Sequence, residues 1–295
     1  TTYFWYLLKK FRIHISTKEF DCTLIKPLLQ FCLPMAVFVI LNSLVRDIDK
    51  WIVSCLGDTD EVAIYANCSR VLPFDTLATS LTTTLIPVIT RNIRINKEKV
   101  LNIFKYYLNL CLITTCILVL PAIILSKQLL ITLYAEDYLP GLNIFIIYLF
   151  IDMLRFANIS IIFSTSGNSK SLMIIAGVSL LMNTFLATIL YKSFGLTGPA
   201  MATLAVICLS SIFLFLGGGK ILRFNLFDLL EVKNIGLILL EVIILFILNS
   251  IFTKYFSLLN DILHFFICYI PMICVLMLCN FGEIKKNFKM LNSIN

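Results

Sequence analysis

The sequence predicts an all-α polytopic membrane protein with about eight transmembrane helices. Of its 295 residues, 59% are hydrophobic and 14% are charged, whereas a soluble domain has roughly 45–50% and 25%. The mean hydropathy is +0.95. Apolar runs of about twenty residues recur between short charged connectors, which is typical of helices that cross a hydrocarbon core about 30 Å thick. The alternating ten-residue strands of a membrane β-barrel are not seen.

The apolar runs define the spans in order. Spans are predicted over residues 24–56, 62–90, 100–126, 138–166, 172–191, 194–216, 235–252 and 258–281. The first span would be nearly 50 Å long at ~1.5 Å per residue, so we expect it to tilt, bend or protrude, and Pro34 allows a bend. The sixth span begins in the turn 194–199, which contains two glycines and a proline.

Basic residues predict the orientation of these spans. Seventeen of the 24 Lys and Arg residues fall in connectors on one side, three fall on the other, and four lie inside spans. Because short cytoplasmic loops hold the excess of Lys and Arg, both ends of this chain are predicted to be cytoplasmic. The net charge of +7 therefore reflects orientation, and no basic stripe suggests nucleic acid.

Ionisable residues inside the predicted spans are the candidate functional residues, since a base near the bilayer centre costs at least ~2.5–3.5 kcal/mol. The bases are Arg46, Lys50, Arg70 and Arg155, and the acids are Asp47, Asp49, Asp75 and Asp152. The similar depths of the three arginines suggest that they line one central cavity. A guanidinium is well matched to phosphate, so the four bases are predicted to bind substrate. Any of the acids is a candidate for carrying a coupling proton or Na⁺.

Structural roles for these charges stay open. Helical spacing puts Arg46 near Asp49 and Asp47 near Lys50, and Asp152 with Arg155 is a possible self-neutralising pair that only ties helices together. Lys50 is also near the outer end of its span, where a lysine can anchor the helix at the interface. The ten cysteines show no CxxC pair, the two histidines are isolated, and no nucleotide or hydrolase motif is present, so no catalytic residue, metal site or cofactor is predicted.

Several short motifs together resemble a known family of membrane proteins. They are residues 49–53 (DKWIV), 62–66 (VAIYA), 85–87 (LIP), 133–138 (LYAEDY), 147–149 (IYL), 152–155 (DMLR), 167–170 (GNSK), Asn183 and 194–203 (FGLTGPAMAT). In order and spacing they resemble the C-terminal portion of Wzx-like O-antigen and polysaccharide flippases of the multidrug/oligosaccharidyl-lipid/polysaccharide (MATE-like) superfamily. The resemblance covers about residues 25–220.

The resemblance implies a domain organisation. Residues 24–224 would be a six-helix C-terminal lobe, residues 225–295 two additional transmembrane helices and a basic cytoplasmic tail, and residues 1–23 a cytoplasmic connector from a missing upstream helix. The chain begins without a Met or a signal pattern, so we expect a fragment that lacks the N-terminal lobe. A truncated gene or a non-transporting remnant is the alternative.

The resemblance also implies a function without enzymatic activity. A flippase would move an isoprenoid-diphosphate-linked oligosaccharide across the bacterial inner membrane by alternating access, for O-antigen, capsular or exopolysaccharide synthesis. Its expected partners are the lipid-linked oligosaccharide, membrane lipids, the N-terminal lobe, and a polysaccharide polymerase with its chain-length machinery. The alternatives are a cation-coupled multidrug exporter of the same superfamily, or a membrane glycosyltransferase or polymerase.

Overall fold

The computed structural model describes most of the chain from the first predicted span onward. The described residues are 25–70, 72, 74, 76–93, 95–156, 158–223, 232–256 and 260–294. They are helical with short connectors, and no strand occurs among them. The predicted all-α membrane class is confirmed, since six stretches are long and apolar enough to cross a bilayer.

Eleven α-helices make up the described part of the chain. They are α1 (Ile25–Leu56), α2 (Thr59–Cys68), α3 (Thr76–Asn92), α4 (Lys97–Ile124), α5 (Ser126–Tyr134), α6 (Leu142–Leu154), α7 (Ser160–Thr165), α8 (Ser169–Phe194), α9 (Gly198–Leu222), α10 (Val232–Phe256) and α11 (Asp261–Ile294). Two 3₁₀ segments, Glu136–Gly141 and Gly195–Thr197, precede α6 and α9.

Helix α4 is the central element of the fold. Its first turn is capped by Asn96, whose side chain accepts the Lys99 N–H at 2.9 Å, a favourable arrangement at a helix start. Most of α4 is buried, and it packs against α3, α6, α10 and α11. An apolar helix that is buried on most of its surface belongs in the interior of a bundle, so α3, α6, α10 and α11 surround α4, whereas α1 packs mainly against α8.

Helices α8 and α9 form an antiparallel hairpin. Together they cover Ser169–Leu222, a length that would far exceed the bilayer if it were one straight helix, and the two helices pack against each other. The tight turn depends on Gly198, because a Cβ atom there would lie 2.2 Å from the Leu190 carbonyl oxygen. The predicted turn at 194–199 is therefore where the hairpin reverses.

Side-chain contacts identify the two ends of the bundle. At one end Lys97 Nζ donates to the Ile221 carbonyl at 3.0 Å, joining the start of α4 to the end of α9. At the other end the Tyr191 hydroxyl donates to Glu61 Oε2 at 2.7 Å, joining the end of α8 to the start of α2. These are called the Lys97 end and the Glu61 end below.

Two of the predicted continuous spans are interrupted. Span 62–90 divides into α2, which ends at Cys68, and α3, which begins at Thr76. Span 138–166 divides into α6, which ends at Leu154, and α7, which begins at Ser160. Pro73 in the sequence favours the first interruption, because proline has no N–H and disfavours a helical conformation in the residue before it.

Candidate functional site

The two helix interruptions are stabilised by side chains of neighbouring helices. The Leu72 N–H donates to Asp152 Oδ2 on α6 at 3.2 Å, and the Asn158 N–H donates to the Tyr107 hydroxyl on α4 at 3.1 Å. Non-helical backbone at membrane depth persists only where it is buried in protein or lines a cavity. Both interruptions therefore depend on tertiary contacts.

Tyr107 also connects α4 to α3. Its hydroxyl lies 2.6 Å from Thr82 Oγ1, and its side chain is 1% exposed. Within the second interruption Ser160 Oγ donates to Asn158 Oδ1 at 2.5 Å, a local hydrogen bond of the kind that competes with helix continuation. These hydrogen bonds hold Asn158 and Ser160 next to α4.

A polar cavity of about 340 Å³ lies beside the second interruption. It is bounded by α1, α8, α9 and the segment between α6 and α7. Its lining residues are Phe38, Asn42, Val45, Arg46, Leu154, Arg155, Asn158, Ile159, Ser160, Ile175, Ala176, Ser179, Ile207, Ser210, Ser211 and Leu214. The cavity is thus formed by four separate parts of the chain.

The charge of this lining is positive. Arg46 of α1 and Arg155 at the end of α6 both contribute to the wall, together with hydroxyl and amide side chains, and none of the lining residues is Asp or Glu. Guanidinium groups and hydroxyls donate hydrogen bonds to phosphate oxygens. The arrangement is suited to an anion, and the structure brings Arg46 and Arg155 to the same cavity.

Asp49 belongs to a separate buried cluster on the side of α1 towards the Glu61 end. The side chain has no exposed surface. Its Oδ2 atom accepts hydrogen bonds from the hydroxyls of Tyr65 at 2.9 Å, Tyr148 and Thr203 at 3.3 Å, and its Oδ1 atom accepts the Lys50 N–H at 2.8 Å. The described hydrogen-bond partners of this carboxyl are therefore neutral donors, although Arg46 is only one helical turn away.

A chain of hydrogen bonds leads from Asp49 to the cavity wall. Thr203 of α9 is within hydrogen-bond distance of both Asp49 and Asn183 of α8, and Asn183 Nδ2 donates to the Val45 carbonyl at 3.2 Å. Both Asn183 and Thr203 are fully buried, and Val45 lines the cavity. A movement of α8 or α9 relative to α1 would therefore alter the Asp49 cluster and the cavity together.

The other predicted residues lie elsewhere. Lys50 Nζ pairs with Asp47 at 2.8 Å, with both side chains part-exposed, which is the structural alternative to their predicted roles in substrate binding and ion coupling. Arg70 is exposed, outside helix α2. Burial raises the pKa of the Tyr134 hydroxyl at the end of α5, and the positive charge of Arg70, which is within electrostatic range, opposes this rise.

The structure thus separates the predicted substrate-binding bases into groups. Arg46 and Arg155 share the cavity, whereas Arg70 and Lys50 do not line it. Asp152 is buried and accepts the Leu72 N–H. Asp75 lies outside the described residues.

Tyr65, Tyr148, Asn183 and Thr203 are site residues that no charge pattern marks. Asn183 and Thr203 are polar residues in apolar spans, and this contrast could have marked them as candidates from the sequence. The two tyrosines carry no such signal, because a tyrosine within an apolar helix is usually a packing residue. No group of three or more His, Cys, Asp or Glu in the described residues is arranged to hold a metal ion.

Comparison with known proteins adds one similarity. Residues 2–142 match the model of a family described as "Polysaccharide biosynthesis protein". No curated protein matches the chain. The matched region includes α1 to α5, with Arg46 and Asp49, and supports a role in polysaccharide biosynthesis.

Proposed function

We propose that this chain forms one lobe of a flippase that moves an isoprenoid-diphosphate-linked oligosaccharide across a bacterial inner membrane. The family similarity supports polysaccharide biosynthesis as the process, and the multi-pass helical fold supports a membrane location. The lobe would act with a second lobe by alternating access, in which one half rocks against the other around a central site.

The observation that carries this proposal is the cavity lined by Arg46 and Arg155 without an acidic residue. At about 340 Å³, it is near the lower limit of the roughly 300–1,000 Å³ typical of small-molecule sites. It therefore fits a diphosphate headgroup better than a whole oligosaccharide. Two guanidiniums, one on α1 and one just after α6, would neutralise the diphosphate and fix its position.

The Asp49 cluster would provide the coupling to a cation. A buried carboxyl that accepts hydrogen bonds from three hydroxyls is a site where a proton or Na⁺ would change the local charge. Because the hydrogen bonds through Thr203 and Asn183 reach Val45 in the cavity wall, occupation of Asp49 would alter the cavity. This link makes cation coupling part of the proposal.

A multidrug exporter for cationic drugs is less well supported. Such a protein would need acidic residues in its binding cavity to attract the drug, and the lining of this one has two arginines and no acid. A glycosyltransferase or polymerase would need a sizeable catalytic region outside the bilayer, and the connectors between α1 and α2 and between α8 and α9 are only a few residues long.

Binding of an isoprenoid diphosphate tests the proposed cavity. Purified protein in detergent would be titrated with farnesyl diphosphate, farnesyl monophosphate and farnesol by calorimetry. A charge-assisted hydrogen-bonded contact contributes about 1.5–3 kcal/mol, so Arg46→Ala or Arg155→Ala should each weaken diphosphate binding by about tenfold to 150-fold. Arg91→Ala, at the exposed end of α3, is the matched control and should bind like the wild type.

Equal affinity for farnesol and farnesyl diphosphate would contradict diphosphate recognition. In cells, replacement of Arg46 by Ala in the chromosomal gene should reduce surface polysaccharide and increase lipid-linked oligosaccharide, with an unchanged amount of protein in the membrane. Normal export by that variant would contradict the flippase assignment. Uptake assays with cationic dyes distinguish a drug exporter, which would respond to Asp49→Asn and not to Arg46→Ala.

A further inference from the structure

A further carboxyl is buried where α10 and α11 pack against α4. Glu241 of α10 is 3% exposed and Asn280 of α11 is 4% exposed. Asn280 Nδ2 donates to Glu241 Oε1 and to the Leu276 carbonyl at 3.0 Å. Neither α10 nor α11 contributes to the cavity lining or to the Asp49 cluster, so the site already described does not account for this acid.

The surroundings of Glu241 are mostly apolar. Leu245, Met272 and Leu276 have no exposed surface and belong to the same core cluster. From α4, the Cys116 thiol lies within electrostatic range of the carboxyl. Glu241 is also well inside α10, nine residues after its first residue, so it lies away from the helix end where a carboxylate would reach water.

An ionised carboxylate would be unfavourable in this position. The described hydrogen-bond partner of Glu241 is the neutral amide of Asn280 on α11, and the Cys116 thiol on α4 is within electrostatic range; neither group provides a positive charge. The charged pair Lys286–Glu283 lies further along α11, with its own contact of 3.5 Å. Burial of a carboxylate without a cationic partner is costly, and such a group takes up a proton instead.

We propose that Glu241 is a proton-binding site whose protonated form keeps the α10–α11 pair packed against α4. The neutral acid can accept the Asn280 amide without placing a charge in the core. Ionisation would put a charge against Cys116 and the surrounding leucines, and the pair would loosen to let water reach it. The position of the two helices is then linked to pH.

A hydrophobic carbodiimide tests whether the acid is protonated. Dicyclohexylcarbodiimide reacts with protonated carboxyls in apolar surroundings: the acid O–H adds across a C=N bond, and the acyl group then moves from oxygen to nitrogen. Membranes at pH 7 should give a modified Glu241 peptide by mass spectrometry, and the exposed Glu98 should stay unmodified. The proposal is wrong if Glu241 carries no reagent in a sample in which another buried acid, such as Asp49, is modified.

Alkylation of Cys116 tests the link to helix packing. Cys116 is 1% exposed, so N-ethylmaleimide should modify its thiol slowly at pH 7. At about pH 9.5, after correction for the larger fraction of thiolate, the rate of modification should be at least tenfold higher. Glu241→Gln keeps the shape of the side chain and cannot ionise. In this variant the rate of Cys116 modification should therefore rise with pH only as far as the fraction of thiolate rises. The control Tyr269→Phe removes a neutral contact, the hydroxyl bond to the Leu118 carbonyl at 3.0 Å, and should keep the extra pH dependence.

The outcomes separate a proton site from a packing contact. Identical pH profiles for the wild type and Glu241→Gln would show that Glu241 is only a packing residue and would overturn the proposal. If Glu241→Gln fails to fold, the carbodiimide experiment on the wild-type protein decides the question. Neither result depends on the diphosphate cavity, so failure of the proposed flippase function would leave this inference testable.

Discussion

The hydrogen bond from Tyr148 to Asp49 offers a direct test of the buried cluster. Tyr148→Phe keeps the ring, which is 3% exposed, and removes one of the three hydroxyls that donate to Asp49 Oδ2. Tyr65 and Thr203 would still donate to the same oxygen. The substitution therefore removes one polar contact from the cluster and leaves the carboxyl partly satisfied.

Two known ranges of hydrogen-bond energy give the expected loss in the free energy of unfolding. A hydrogen bond to a charged group contributes about 1.5–3 kcal/mol in soluble proteins, whereas side-chain hydrogen bonds between membrane helices average about 0.6 kcal/mol with a maximum near 1.7. Asp49 has no exposed surface, so water cannot replace the lost donor. We therefore expect Tyr148→Phe to lower the free energy of unfolding by about 1–2 kcal/mol. Double substitution with Asp49→Asn should cost less than the sum of the single effects, since the residues share one network.

Reversible unfolding in mixed micelles of sodium dodecyl sulfate, followed by circular dichroism, measures this loss. The matched control is Tyr106→Phe, because Tyr106 is a half-buried tyrosine on α4 outside the network. A change below about 0.5 kcal/mol for Tyr148→Phe, the size typical of substitutions away from structural features, would refute the assigned contact. Equal losses for Tyr148→Phe and Tyr106→Phe would refute it as well.

Two further predictions concern the cation site and the helix hairpin. With lithium dodecyl sulfate in place of the sodium salt, Na⁺ at ten times its dissociation constant should stabilise the wild type by about 1.4 kcal/mol and Asp49→Asn not at all. If the cation is a proton, lower pH should stabilise the wild type more than Asp49→Asn. Equal responses of the two proteins to Na⁺ and to pH would contradict cation coupling. Gly198→Ala should lose about 1–3 kcal/mol in the same unfolding assay, because its Cβ would meet the Leu190 carbonyl at 2.2 Å, whereas Gly236→Ala on α10, with no atom within 4 Å, should lose little.

The fold class was predictable because it depends on composition and on the length of apolar runs. The helix interruptions were harder to predict, since 69–75 and 155–159 are short segments of mixed polarity between apolar runs, and a few polar residues also fit inside a continuous span. Pro73 marks the first one. The second has no proline and depends on Tyr107, which is 51 residues away from Asn158 in the sequence, and one sequence does not show such a contact.

The candidate site shows the same division between local and tertiary information. The pairing of Lys50 with Asp47 is local, at a spacing of three residues, and helical geometry predicts it. The partners of Asp49 come from positions 16, 99 and 154 residues away. The cavity shared by Arg46 and Arg155 was expected from their similar depths, whereas the exposed position of Arg70 follows from the end of α2 at Cys68.

The most direct measurement is an experimental structure of the protein in complex with an isoprenoid diphosphate such as farnesyl diphosphate. We expect the diphosphate to lie in the cavity, within hydrogen-bond distance of the guanidiniums of Arg46 and Arg155. We also expect Ser210 or Ser211 on α9 to face the same group, since both line the cavity. Density for the diphosphate outside this cavity, for example against Arg70, with no ligand at Arg46 or Arg155, would show that these two arginines do not form the diphosphate site.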